Sequence, residues 1–317
     1  MRDMTQGQER GALLVLALLL ALAAPFVPFF GVLCLFVWPA PLVVLAVRHG
    51  YVWAFLGGAL ASAVFFVVLG LAGALHAVFL VLPMAFFWGF GLRRKWSAER
   101  LVRLGFIVSL SGTGLSLAAV ALSFGVDPLM PFLDAVRESY LSVTSAIEAQ
   151  GNLPPAKVQA MESQVSAMLE TVALIAPVIF IAESAMAALL NFSAVTFLLG
   201  RLRTETPQLP SFSEWRFSVY FLYLFGFSLV GLYWGGTRHI DLLYAASLNG
   251  NIIAAFAGLI QGFSLFWYVA DRWRIGTFWR WAIVAFAVLS TFLMQLIAFT
   301  GLFDMYFDYR RRFMNRR

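Results

Sequence analysis

The sequence predicts an all-α fold, namely a polytopic bundle of transmembrane helices with about nine membrane segments and an extracytoplasmic amphipathic helical hairpin. Hydrophobic residues make up 62% of the 317 positions and charged residues only 12%, about half the charged share of a soluble domain. Apolar runs long enough to cross a hydrocarbon core of roughly 30 Å recur along the whole chain. These runs are continuous rather than alternating, which favours helices over a membrane β-barrel.

Nine apolar segments follow one another along the chain. They span residues 11–25, 29–47, 51–70, 73–91, 102–123, 168–200, 216–236, 241–270 and 277–301. Prolines separate and bend the first two, and such short or broken segments often line a cavity in transporters. The first run, which ends near Ala21-Leu22-Ala23, also fits a cleaved signal peptide. The acidic Asp3 and Glu9 and the apolar run that follows favour a first membrane helix.

The longest stretch between membrane segments, residues 124–167, is acidic and amphipathic. Its apolar residues recur at spacings of three and four on both sides of a Gly-Asn-Leu-Pro-Pro break. They are Leu133, Val136, Tyr140, Val143 and Ile147 before Gly151 to Pro155, and Val158, Met161, Val165 and Met168 after it. We expect a helical hairpin that caps the outer face, with its second arm running into the membrane. Whether it acts as a gate or a structural cap stays open.

Basic residues predict the orientation, because cytoplasmic loops carry the excess of Lys and Arg. With a cytoplasmic N-terminus, the inner loops hold Arg48, Arg93, Arg94, Lys95, Arg100, Arg103, Arg201, Arg203, Arg216, Arg272, Arg274 and Arg280. The outer loops then hold Arg137, Lys157 and Arg238. Nine full spans would leave the five arginines of the tail outside, against the rule. Either the last segment is an outward span or a segment after Arg216 is re-entrant.

The chain lacks the motifs of soluble enzymes, so we expect no catalysis and no cofactor. It has no phosphate-binding loop, no His-Glu-x-x-His and no Gly-x-Ser-x-Gly. The three histidines, His49, His76 and His239, lie far apart in sequence, and the single cysteine, Cys34, falls in an apolar run. We therefore expect no metal site. The net charge of +6 is explained by membrane topology, so no nucleic-acid partner is expected.

Polar residues inside the apolar segments are the candidate ligand-binding residues, because an intramembrane charge usually faces the bundle interior or a cavity. Glu183 and Asn191 share one face of the 168–200 segment. The 241–270 segment carries a ladder of small residues at Ala254, Gly258 and Gly262, which allows another helix to approach closely. The candidates are Glu183, Asn191, Asn249, Asn251, Gln261 and Ser264. Ion pairing or hydrogen bonding to a neighbouring helix is the structural alternative for each.

The chain ends in an aromatic and charged stretch. Asp304 and Asp308 are four residues apart, so a continuous helix would stack two like charges on one face. Arg311 and Arg312 are close enough in sequence to neutralise them. An anchored helix end with local ion pairs is the simplest interpretation of this stretch.

Two motifs here resemble those of the YybS-like family of bacterial membrane proteins of unknown function (DUF2232). Members typically carry a Gln-Gly-Leu-Ser stretch, which corresponds to Gln261-Gly262-Phe263-Ser264 with phenylalanine in place of leucine. They also end in Gly-x-x-Asp-x-x-Phe-Asp-x-Arg, which matches Gly301, Asp304, Phe307, Asp308 and Arg310. The resemblance covers most of the chain and implies the bacterial inner membrane as its location.

This family is thought to be distantly similar to the substrate-binding S components of energy-coupling factor transporters. The resemblance implies an S-component-like six-segment core in residues 1–200, which includes the outer hairpin 124–167. Residues 201–317 are then an additional three-segment region with a basic tail. It also implies partners, namely an energy-coupling transmembrane subunit and ATPases. The small-xxx-small pair Ala17 and Ala21 would face the transmembrane subunit, and Arg48 to Gly58 would form the turn into the third helix.

The resulting prediction is an inner-membrane protein with a cytoplasmic N-terminus that binds or transports a small molecule. A non-transporting scaffold or assembly factor is the alternative. A weaker alternative is an intramembrane enzyme that uses Glu183 or the Asp304 and Asp308 pair. The lipid bilayer is the expected environment, and the substrate and the oligomeric state stay open.

Overall fold

The computed structural model describes residues 5–27, 30–125, 127, 129–130, 133–134, 137–138, 140–142 and 155–314. All regular structure in these ranges is helical, without a strand, which confirms the predicted all-α fold. The chain forms two compact units, Met1–Leu209 (unit 1) and Pro210–Arg317 (unit 2). This division falls close to the predicted boundary at residue 200, and the functions predicted for the two parts stay predictions.

Within the residues that the structure describes, six helices of unit 1 have defined bounds. They are α1 (Gln6–Phe26), α2 (Phe30–Val37), α3 (Ala40–His49), α4 (Tyr51–Arg93), α5 (Ala98–Phe124) and α6 (Pro155–Arg201). In unit 2 a short 3₁₀ turn, Phe212–Glu214, precedes five further helices. These are α7 (Tyr220–Thr237), α8 (Asp241–Arg272), α9 (Thr277–Val288), α10 (Thr291–Phe307) and α11 (Tyr309–Met314).

Five helices of the described chain are long and apolar enough to cross a membrane, namely α1, α4, α5, α6 and α8. A sixth is added if α9 and α10, which are bent by 110° at their junction, count as one span. The α2–α3 stretch is apolar but shorter, at Leu33–His49. The membrane character is thus clear, while the count of nine segments stays a prediction.

Helix α4 reverses direction at Gly70. A straight helix would separate Gly58 from Leu82 by about 36 Å, yet a Cβ added at Gly58 would lie 2.7 Å from Cδ2 of Leu82. The rings of Tyr51 and Phe86 are likewise 5.3 Å apart. Gly70 has φ 70° and ψ −165°, a backbone region that is essentially restricted to glycine. The 43-residue helix is therefore two antiparallel arms, 51–69 and 71–93.

Replacing Gly70 by alanine is expected to destabilise the protein by about 1–3 kcal/mol, the cost of a non-glycine residue in this backbone conformation. Apart from the adjacent backbone, no atom lies within 4 Å of the added Cβ, so backbone strain rather than a side-chain clash produces the loss. Detergent-induced unfolding of the purified variant measures it. Gly114→Ala is the control, because Gly114 lies within α5 and its Cβ would also meet no atom within 4 Å. Equal stability of the two variants would contradict the reversal.

The core of unit 1 is built on α3, whose residues from Ala40 to Ala46 are all buried. Trp38 and Trp88 are each 1% exposed, and the Trp88 indole N–H donates to the Leu101 carbonyl at 2.7 Å. Ala17 and Ala21 of α1 belong to the same core, with at most 1% exposure. The expectation that these two alanines dock a separate subunit is therefore wrong for this conformation, because unit 1 itself covers them.

Helix α6 is continuous from Pro155 to Arg201. At 1.5 Å per residue it is about 70 Å long, more than twice the thickness of a hydrocarbon core. Its N-terminal part coincides with the predicted second arm of the outer hairpin. The turn at Gly151 to Pro154 and most of the first arm, including Val136, Val143 and Ile147, lie outside the described residues. The hairpin stays a prediction.

Candidate functional site

Glu183 lies in the membrane-spanning part of α6 and is half-buried. Among the described residues it has neither a hydrogen bond nor an ion pair. Ser184, which is 1% exposed, has a hydroxyl oxygen that is also buried without a hydrogen-bond partner. An ionised carboxylate within a span costs roughly 2.5–3.5 kcal/mol even on insertion scales. Such a group usually has a function, and buried polar atoms without partners require an explanation.

Asn191 lies two turns further along α6 and is fully buried. Its side-chain N–H groups donate to the carbonyl oxygens of Ala187, at 2.9 Å, and of Phe36. The Phe36 carbonyl is near the end of α2, where the helix stops before Pro39 and leaves carbonyls without helical partners. Asn191 therefore holds the break between α2 and α3 against α6. Its own Oδ1 is buried and has no hydrogen-bond partner within the described ranges.

Helix α5 carries a row of buried hydroxyls that was not predicted from the sequence. Ser109, Thr113 and Ser116 are at most 5% exposed and recur at spacings of four and three. The Ser116 hydroxyl lies 3.4 Å from Nδ1 of His76 on α4, and the Ser109 hydroxyl has no partner in the described structure. Helix α5 packs against both α4 and α6. The helical spacing of the three hydroxyls was the available signal.

A charged cluster joins the N-terminal end of α1 to the C-terminal end of α3. The Arg48 guanidinium bonds both carboxylate oxygens of Glu9 and reaches the Thr204 hydroxyl at 2.9 Å. His49 contacts Glu9 through Nε2 at 3.0 Å and accepts a hydrogen bond from Arg10 at Nδ1, at 3.2 Å. The cluster therefore combines the Arg48–Glu9 ion pair with hydrogen bonds made by His49. Local sequence patterns do not reveal this cluster, because Glu9 and Arg10 are about 40 residues from Arg48 and His49.

In unit 2 the structure brings the two family-specific motifs together. Gln261 donates to the Asp304 carboxylate at 2.6 Å and accepts from the Phe217 backbone N–H at 3.0 Å. Ser264 donates to the Phe212 carbonyl at 2.6 Å and accepts from Arg310 at 2.9 Å. In this conformation internal partners therefore occupy the polar atoms of Gln261 and Ser264. The ligand role predicted for these two residues stays a prediction.

Arg310 is 2% exposed and ties three parts of unit 2 together. Its guanidinium donates to the Ser213 carbonyl and to Ser264, and its Nε lies 3.5 Å from the Asp304 carboxylate. Burial lowers the pKa of Arg310, and the negative charge of Asp304 opposes this shift. Because arginine starts from a very high pKa, it stays charged at physiological pH. We call Gln261, Ser264, Asp304 and Arg310 the polar latch.

The prediction that Arg311 and Arg312 neutralise Asp304 and Asp308 was wrong. Asp304 pairs with Arg310, and Asp308 pairs with Arg216 at 2.9 Å. Arg311 meets Asp308 only through its backbone N–H. Since α10 ends at Phe307 and Asp308 adopts a left-handed conformation with φ 44°, the two aspartates do not stack on one helix face. Each of the two carboxylates thus has its own arginine partner.

Gly258, Gly262 and Gly301 bring α8 and α10 into backbone contact. A Cβ at Gly301 would lie 1.8 Å from the Gly258 carbonyl oxygen, and one at Gly262 would lie 2.2 Å from the Ile297 carbonyl oxygen. Gln261 hydrogen-bonds across this contact. The other polar candidates of α8 behave differently: Asn249 donates to its own helix at Ala245, and Nδ2 of Asn251 is buried without a partner among the described residues.

A groove of about 450 Å³ lies in unit 1 along the C-terminal part of α6. Its lining consists of Phe192, Ser193, Thr196, Phe197, Gly200, Thr206, Pro207, Gln208 and Leu209. The six predicted ligand-binding residues are not among them. In this conformation Asn191 is tightly packed, so a solute could reach it only if helices moved apart. The described residues contain no group of three or more His, Cys, Asp or Glu side chains that could hold a metal ion.

The family model described as "Predicted membrane protein (DUF2232)" matches residues 15–305 of the chain. The protein described as "Uncharacterized protein YybS" from Bacillus subtilis (strain 168) is 24% identical over 314 residues, which cover 97% of this chain and 98% of that protein. No solved structure matches the chain.

Proposed function

This chain belongs to the DUF2232 family of predicted membrane proteins, and we propose that it binds a small polar solute inside the helical bundle of unit 1. The observation that carries the proposal is Glu183, an intramembrane carboxyl without a partner among the described residues. Two buried oxygens of the same helix, on Ser184 and Asn191, have no hydrogen-bond partner in the part of the chain that the structure describes. A fold that only had to be stable would gain by pairing or replacing these groups.

The free atoms define the chemistry of the solute. Glu183, Ser184 and Asn191 present a carboxylate, a hydroxyl and an amide carbonyl, all of which accept hydrogen bonds. The amide N–H groups of Asn191 are occupied. A complementary solute therefore carries N–H or O–H donors and a positive charge near Glu183. Eight residues separate Glu183 from Asn191, about 12 Å along a helix, so a solute that contacts both has donors at two ends.

An S-component-like role agrees with this proposal. Two arms of α4, with α1, α2–α3, α5 and α6, supply six apolar segments in unit 1. The break between α2 and α3 is the kind of feature that lines solute sites in transporters. Transport would require separate coupling subunits and ATPases, because the sequence has no Walker motif. Those subunits would use a surface other than the buried Ala17 and Ala21, and the protein itself would catalyse no reaction.

The bacterial inner membrane is the proposed location, with the N-terminus in the cytoplasm. The basic residues that precede and follow the apolar segments of unit 1 support this orientation. The Glu9, Arg48 and His49 cluster would then lie at the cytoplasmic end of the unit, where water can solvate its exposed edges.

Replacing Glu183 by glutamine is expected to abolish solute retention. For the test, each variant is expressed to the same level and purified in native lipid particles. The small molecules extracted from each preparation are then compared by mass spectrometry. Wild-type protein should carry a non-lipid cationic solute, and the amount of this solute per protein should be at least tenfold lower in Glu183→Gln. The loss follows because an amide cannot replace a carboxylate as the counter-charge.

Glu170→Gln is the matched control, because Glu170 lies on the same helix and is exposed. It should retain the solute at the wild-type level. Two results would overturn the proposal: a wild-type preparation with no solute above that of an unrelated membrane protein, or equal solute in the two glutamine variants.

A scaffold role is the second candidate, and the polar latch favours it. In unit 2 the polar atoms of Gln261, Ser264 and Asp304 are taken up by internal contacts, which makes that unit a rigid support. Cross-linking in intact cells discriminates between the candidates. One stoichiometric protein partner, recovered with Glu183→Gln as well as with wild type and without any ATPase, would support a scaffold.

A further inference from the structure

Helices α9 and α10 cannot form one straight membrane span. Helix α9 has 12 residues, about 18 Å at 1.5 Å per residue, which is too short for a hydrocarbon core of roughly 30 Å. The chain turns by 110° between Val288 and Thr291, so α10 heads back rather than onward. The pair therefore has the shape of a helical V with its tip near Leu289, a residue that is 86% exposed.

Both arms of this V end beside the C-terminal third of α8. At the start of α9, Arg280 donates to the carbonyls of Ile275, at 2.8 Å, and Ala270, at 3.3 Å. At the far end, Arg310 follows α10 and donates to Ser264 at 2.9 Å. Ser264 and Ala270 are only six residues apart on α8, about 9 Å along its axis. The entry and the exit of the V therefore lie at one end of α8.

The opposite end of α8 is joined to α7. Close contacts pair Gly250 with Ser228 and Gly235 with Tyr244, so α7 runs antiparallel to α8. The Phe217 N–H, just before α7, donates a hydrogen bond to Gln261. We call the end of α8 that lies towards the polar latch the latch end. The basic residues follow this geometry. The latch end carries Arg216, Arg272, Arg274, Arg280, Arg310, Arg311 and Arg312, whereas Arg238 is at the other end.

We infer that α9 and α10 form a re-entrant loop, which enters and leaves the lipid bilayer through the cytoplasmic face and returns the basic tail to the cytoplasm. The exposed side chains of α9 fit lipid: Phe278 is 76% exposed, Trp279 64%, Trp281 60% and Phe286 68%. Tryptophan with adjacent arginine is typical of the membrane interface. The loop also removes the charge conflict of nine full spans, because the tail arginines now obey the positive-inside rule.

Cysteine accessibility in the full-length protein tests this topology. In a Cys34→Ser background, single cysteines replace Thr237, Arg274, Leu289 and Arg312, which are exposed. A membrane-impermeant maleimide is applied to intact spheroplasts and, separately, to inverted vesicles. Arg274→Cys and Arg312→Cys should both be labelled in inverted vesicles, by at least tenfold over spheroplasts, and Thr237→Cys should be labelled in spheroplasts. Leu289→Cys should not be labelled together with Thr237→Cys.

Labelling of Arg312→Cys or Leu289→Cys on the same side as Thr237→Cys would overturn the re-entrant loop, because α9 and α10 would then cross the membrane. Arg311 is also exposed. Labelling of Arg311→Cys on the same side as Arg312→Cys would show that the result is not a local effect of the substitution at Arg312. Labelling of both Arg274→Cys and Arg312→Cys in spheroplasts would overturn the cytoplasmic location of the loop and the tail.

Discussion

Gly301→Ala is expected to lower the free energy of unfolding by about 3 kcal/mol, at the upper end of the range for overpacked cores. The added Cβ would lie 1.8 Å from the Gly258 carbonyl oxygen and 2.4 Å from the Gly262 backbone nitrogen. Both atoms belong to the backbone of α8, so no side-chain rotation relieves the clash. Helices α8 and α10 must move apart, and the Gln261 to Asp304 hydrogen bond across them is lost with the contact.

Gly226→Ala is the matched control for this experiment. Gly226 lies within α7 of the same unit, and a Cβ there meets no atom within 4 Å. Because alanine has the higher helix propensity, this variant should be neutral or more stable by up to about 1 kcal/mol. Unfolding of purified protein in micelles by increasing sodium dodecyl sulfate, followed by tryptophan fluorescence, measures both. Wild-type stability of Gly301→Ala would show that α8 and α10 do not meet at these glycines.

The sequence was sufficient for the fold class and for part of the latch. Continuous apolar runs with few charges permit only membrane helices, whatever their arrangement. The spacing of Ala254, Gly258 and Gly262 predicted a close helix approach on α8. The resemblance also singled out Gln261, Asp304 and Arg310. What it did not provide was the contact among these three residues, because 43 positions of the chain separate Gln261 from Asp304.

The remaining features depend on tertiary geometry that local patterns do not encode. Gly70 is one of many glycines in apolar segments, and only the packing of Gly58 on Leu82 reveals that the chain reverses there. Counter-ions were assigned to Asp304 and Asp308 by proximity in sequence, which assumed a continuous helix. The left-handed conformation of Asp308 ends that helix and turns Arg310, rather than Arg311, towards Asp304.

Arg310→Met is expected to destabilise the protein by about 3–5 kcal/mol, the usual cost of removing one partner from a buried ion pair. Arg310 and Asp304 are 2% and 4% exposed. Without the guanidinium, the Asp304 charge stays buried with only the Gln261 side chain and the Tyr309 N–H as partners. Arg311→Met is the control, since it makes the same substitution at the next residue, which is exposed. It should change stability by less than about 0.5 kcal/mol.

A double-mutant cycle separates the ion pair from general damage to the latch. Asp304→Asn alone should also destabilise, because it leaves the Arg310 charge buried without its counter-ion. The loss of unfolding free energy in the double variant should be smaller than the sum of the two single losses. The difference should be about 1–3 kcal/mol, as for residues in direct contact. Strict additivity in the unfolding measurements would mean that the two charges act independently, which is incompatible with a 3.5 Å ion pair.

Arg310→Lys then distinguishes charge from shape. A lysine keeps the positive charge near Asp304, but its single ammonium cannot reproduce the planar fork of arginine. The Arg310 fork reaches the Ser213 carbonyl with one terminal nitrogen and the Ser264 hydroxyl with the other. If these contacts carry the stability, Arg310→Lys should lose most of what Arg310→Met loses. Near-complete recovery with lysine would instead show that neutralising Asp304 is the main task of residue 310.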